Sequence, residues 1–91
     1  MPPPEKYKKL TKRQEKCLYK LAQYVKTFGN PPTRQELVKL FDQKSVNGVN
    51  QILSLIEKKG YIKIYPKNKT RNIIVVHAPD IQLDLFRKFF L

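Results

Sequence analysis

The sequence predicts an α+β fold in which a three-helix core carries an attached two-stranded β-hairpin and ends in a C-terminal tail or short helix. Three observations predict it. Helix-start residues stand at Thr11, Thr33 and Ser45, each ahead of apolar residues at helical spacing. After Gly60 the apolar period drops from about 3.6 residues to about 2. The chain has 91 residues, which is enough for one core and too few for two.

Residues 1–9 hold three prolines and a run of positive charge with little to bury, and read as a basic flexible arm. Thr11 caps a first helix in which Leu18, Leu21, Val25 and Phe28 share one face, and Lys12, Lys16, Lys20 and Lys26 take the remaining circumference. Gly29 closes it before Asn30-Pro31-Pro32. Thr33-Arg34-Gln35-Glu36 is a capping box, so a second helix starts at Arg34 and buries Leu37, Leu40 and Phe41. Asp42-Gln43-Lys44 breaks the pattern. A third helix follows from about Val46 to Lys59, with Val49, Ile52, Leu53 and Ile56 inward, Ser45 as N-cap and Gly60 as C-cap. Two helices joined by a few polar residues have the layout of a helix-turn-helix.

Tyr61 to Tyr65 alternates and Asn72 to Val76 is short and β-branched, so the two form a hairpin around Pro66-Lys67-Asn68-Lys69-Thr70-Arg71. A lone hairpin is marginal in water and has to pack on the helices. The folded domain is expected to span residues 10–77, and residues 78–91 form the tail.

Charge narrows the function. Nineteen Lys and Arg oppose seven Asp and Glu, a formal net charge of +12, which surrounds so small a domain with positive potential and points to a polyanionic partner. The longest apolar run, Ile73 to Val76, is far too short to span a membrane, so the chain reads as cytoplasmic. One cysteine and one histidine exclude an internal disulfide and a thiolate–imidazole zinc site. Cys17 is expected to pack among Leu18 and Leu21, and nothing near His77 favours catalysis. Neither enzymatic activity nor a cofactor is expected.

Lys67, Lys69 and Arg71 alternate in a loop with little packing role, which suits phosphate contact. Arg34 and Lys44 complete the set of candidate phosphate contacts. The lysines of the first helix are expected to contribute field rather than contacts. Base reading needs donors and acceptors, and the start of the third helix presents Ser45, Asn47, Asn50 and Gln51, with Gly48 allowing close approach. Asn and Gln can bond adenine at both N6 and N7. The bland alternative is that they are polar positions on an amphipathic helix.

Leu10-Thr11-Lys12-Arg13-Gln14, Pro32-Thr33-Arg34-Gln35-Glu36-Leu37, Ser45-Val46-Asn47 and Lys58-Lys59-Gly60-Tyr61-Ile62 resemble the N-terminal DNA-binding domain of the LexA repressor family. The resemblance runs from about Leu10 to Val76, without a gap between Thr33 and Gly60. It implies a winged helix-turn-helix whose third helix enters the major groove, with base contacts at Ser45, Asn47, Gly48, Asn50 and Gln51. Asn50 and Gln51 stand where the bacterial repressors typically place acidic residues, so the family's operator does not carry over. Asp42 stands where the family often has glycine. LexA-type repressors continue into a self-cleaving dimerisation domain with a Ser-Lys dyad, and after His77 there is no room for one, so neither cleavage control nor dimerisation by that route is expected.

The tail instead contains Gln82-Leu83-Asp84-Leu85-Phe86, which is similar to the pentapeptide that docks bacterial proteins on the sliding clamp. There the glutamine bonds at a pocket rim and the Leu-Phe pair fills an apolar cleft. Ile81, Leu85 and Phe89 also recur at helical spacing, so a fourth helix on the core or a seam with a second copy in a homodimer stays open. The expected function is sequence-specific binding of double-stranded DNA as a transcriptional regulator. The alternative is a replication-associated factor, of phage or plasmid type in a bacterial host, that binds clamp and DNA together. A pure protein–protein module is a third class, which the charge disfavours.

Overall fold

Hydroxyl side chains start every helix of the computed structural model, which describes residues 8–78. Helix α1 spans Lys12–Phe28. Thr11 Oγ1 accepts from the Gln14 N–H at 3.1 Å while Gln14 Oε1 accepts from the Thr11 N–H, a reciprocal capping box. Gly29, at φ 79°, closes the helix by donating its N–H to the Val25 carbonyl. Helix α2 spans Arg34–Leu40 and opens on the Thr33–Glu36 box expected from the sequence. Helix α3 spans Val46–Lys58, capped by Ser45. Strands β1, Ile62–Ile64, and β2, Ile73–Val75, pair antiparallel with Lys63 opposite Ile74.

One core joins all five elements. Leu18 and Leu21 of α1, Leu37 of α2 and Val49, Leu53 and Ile56 of α3 are fully buried, and Ile62 and Ile73 bring the sheet onto them. Each such burial stabilises by about 1.5–3 kcal/mol, which locks the inner face of α3 and leaves its opposite face outward. Cys17 lies in the same cluster as Leu18 and Leu21, and desolvation pushes its thiol pKa up. The His77 ring stacks on Tyr61 with centroids 5.8 Å apart. No helix among the described residues is long and apolar enough to cross a membrane.

Four expectations need correction. Phe28 is 62% exposed rather than inward, packing its ring on Tyr24 at the surface with centroids 4.5 Å apart. Leu40 is half-buried. The cap of α3 is Lys59, one residue earlier than expected, and Gly60 supplies the left-handed turn at φ 96°. The strands have three residues each instead of five. At one end Val76 and His77 both donate to the single Tyr61 carbonyl, which breaks the ladder. Most of the expected N-terminal arm and all of Gln82–Phe86 lie outside the described residues.

Candidate nucleic-acid interface

The burial of Val49, Ile52, Leu53 and Ile56 turns Asn47, Asn50, Gln51 and Ser54 outward on α3. Of these, Asn50 shares a cleft with the hairpin loop. Arg34 and Gln35 of α2, Asn50 of α3 and Lys67, Lys69 and Asn72 of the hairpin line one cleft of about 580 Å³. Lys44, Lys67 and Lys69 are exposed. Ser45 is exposed too, with its Oγ accepting from the Gly48 N–H at 3.5 Å, so its first role is the cap.

A Cβ at Gly48 would lie 2.6 Å from Gln43 Oε1, the end of a flexible side chain that would have to shift aside. That glutamine donates from Nε2 to the Phe41 and Asp42 carbonyls, bracing the turn between α2 and α3. Asp42 carries the turn at φ 56°, in the left-handed region where the resembled family often has glycine.

Arg34 is half-buried at the edge of the hairpin cleft and held by two side-chain hydrogen bonds. Its Nε donates to Asn50 Oδ1 at 3.2 Å and its Nη2 to Asn72 Oδ1 at 2.8 Å. Asn72 is buried and passes the link on, donating from Nδ2 to the Pro66 carbonyl at 2.8 Å. A single relay thus runs from the outward face of α3 through α2 to the hairpin loop. Burial lowers the pKa of Arg34, and its Nη1 is a buried donor with no hydrogen-bond partner among the described residues.

The expectation that Arg71 has little packing role is overturned. Arg71 forms an ion pair with Glu36 at 2.9 Å and also donates to the Pro31 carbonyl. Its hydrogen bonds, with one from the Thr33 N–H, hold the Glu36 carboxyl down at about 2. Of the three hairpin cations, Lys67 and Lys69 stay exposed at the loop, and Arg71 fastens the hairpin's foot.

The packing of α2 against α1 forms a second basic grouping. Arg13, Lys16 and Lys20 of α1 and Lys39 of α2 surround a cleft of about 560 Å³ floored by Cys17 and Phe41. The three α1 cations recur at helical spacing, so their shared face was readable, but the approach of Lys39 was not.

Three helices and a two-stranded hairpin, with Asn50 of the third helix sharing a cleft with basic hairpin residues, define a winged helix-turn-helix domain. The chain belongs to the family of LexA DNA-binding domains, whose pattern matches residues 7–72. It is similar to the LexA repressor of Cellvibrio japonicus, 39% identical over 57 residues, which is 63% of this chain and 28% of that protein. With the LexA repressor of Anaeromyxobacter dehalogenans it shares 39% identity over 69 residues, 76% of this chain and 30% of the relative. With that of Myxococcus xanthus it shares 40% over 76 residues, 84% of this chain and 34% of the relative. The chain thus spans about a third of the length of these curated relatives.

Proposed function

We propose that this domain binds double-stranded DNA sequence-specifically and regulates transcription, with α3 in the major groove and the hairpin tip on flanking phosphates. The observation that carries the reading is the outward row Asn47, Asn50 and Gln51 on a helix whose other face is fixed in the core, with Lys67 and Lys69 sharing a cleft with Asn50. A helix so anchored presents its amides in one register, which base reading requires. Ser45 and Gly48 lie at the helix start, where the groove floor would approach. Lys44 adds to the phosphate contacts, while Arg34 acts through Asn50 and Asn72.

Kinship with proteins named LexA repressors supports a regulatory role. The test is affinity for duplex DNA against salt. Each neutralised phosphate contributes a slope of about −0.9 in log K against log salt, so Lys67→Ala and Lys69→Ala should each flatten it by about 1. A protein whose duplex binding is absent at low salt refutes the proposal.

The residues Gln82-Leu83-Asp84-Leu85-Phe86 favour a second reading, docking on the bacterial sliding clamp. Leu85→Ala with Phe86→Ala would abolish clamp binding while leaving folding and DNA affinity intact. Retained clamp binding, or loss of folding, removes this reading.

A further inference from the structure

We infer that Asn50 reads a hydrogen-bond acceptor on the base it faces, guanine being the base that fits, and that Arg34 is the positioning residue that sets this choice. The inference rests on the duplex-binding reading above and names the specificity of one position within it.

Arg34 Nε lies 3.2 Å from the Asn50 amide. A guanidinium N–H can only donate, so the amide atom facing it is the oxygen. Nδ2 therefore occupies the other end of the amide. Asn50 is exposed, and it lines both the hairpin cleft and the outward face of α3 where Gln51 and Ser54 stand. Arg34 cannot readily swing aside, because Nη2 is bonded to buried Asn72, whose own Nδ2 is committed to the Pro66 carbonyl.

Paired reading of adenine requires the amide oxygen to accept from N6 while the nitrogen donates to N7. Here the oxygen already accepts from a cation. An incoming N6 amino group would bring its positive end toward the guanidinium charge, whereas an acceptor meets both the Nδ2 hydrogens and that charge favourably. Guanine presents two acceptors, N7 and O6, on its major-groove edge and no donor, while thymine presents one acceptor and a methyl group. The geometry thus departs from the adenine pairing that residue type alone suggests.

The experiment is selection of duplexes from a random-sequence pool by the full chain, by Asn50→Ala and by Asn50→Asp. The aspartate keeps an acceptor toward Arg34 and replaces the outward donor with a second acceptor. At one position the wild type should select guanine about tenfold over the other bases. Asn50→Ala should lose that preference alone, and Asn50→Asp should turn it to cytosine, whose N4 donates. Arg34→Met should raise adenine at the same position, an effect that general loosening of the fold would not confine there. Adenine at the Asn50-dependent position, or no position that depends on Asn50 while others are selected, overturns the inference. The comparison of wild type with Asn50→Ala decides this even if the other variants do not fold. Wild-type protein that enriches no sequence refutes the DNA-reading function itself, a distinct outcome.

Discussion

Glu36 and Arg71, 35 positions apart in the chain, meet in an ion pair at 2.9 Å that ties the foot of the hairpin to the first turn of α2. The same carboxylate accepts from the Thr33 N–H and from the Tyr24 hydroxyl, so α1, α2 and the hairpin share one anchor. Its consequence is a hairpin foot tied to α2.

That anchor predicts an acid dependence. Glu36 is depressed from an ordinary 4.5 to about 2, so its contribution is present above about 4.5 and is lost as pH falls toward 2. Thermal melts between these limits should show a steeper loss for the wild type than for Glu36→Gln. Equal slopes, or a Glu36 carboxyl titrating near 4.5 by NMR, would contradict it.

Asn72 is buried and makes two side-chain hydrogen bonds, one from Arg34 and one to the Pro66 carbonyl. Asn72→Ala removes both, leaving Arg34 Nη2 short of a partner, and should destabilise by about 1–3 kcal/mol. Amide exchange should quicken most in the hairpin loop.

Asp42 holds a left-handed φ of 56° that glycine adopts without steric penalty. Asp42→Gly should therefore stabilise the fold by about 0.5–1 kcal/mol, after the greater entropy of the unfolded glycine chain is subtracted. In a domain of this size the melting temperature should rise by roughly 2–8 °C.

The hairpin cations should separate by role. Lys67→Ala and Lys69→Ala should change stability by less than about 0.5 kcal/mol while flattening the salt dependence of DNA affinity. Arg71→Ala should lower the melting temperature, because it strips Glu36 and the Pro31 carbonyl of their partner. Equal effects of all three would contradict the division.

Local chemistry was legible in the sequence, and distant pairing was not. The Thr33 box, the Thr11 and Ser45 caps and the inward residues Val49, Ile52, Leu53 and Ile56 all follow from spacing within one helix. Phe28 shows the limit of such spacing, which marks a face of α1 but not where its neighbours cease to cover it. The Arg34–Asn72 and Glu36–Arg71 contacts join residues 38 and 35 positions apart, and nothing in either segment marks its partner. The approach of Gln43 to Gly48 is similar, since it depends on where the Gln43 side chain lies across the turn.

The proposed joint contact of the outward face of α3 and the hairpin tip with DNA is tested most directly by adding a selected duplex to isotopically labelled full chain and following backbone and side-chain amides by NMR. The side-chain NH2 signals of Asn47, Asn50 and Gln51 and the backbone amides of Lys67 and Lys69 should shift most. Shifts confined to α1 around Lys16 and Lys20, with the α3 amides unmoved at saturation, would contradict it.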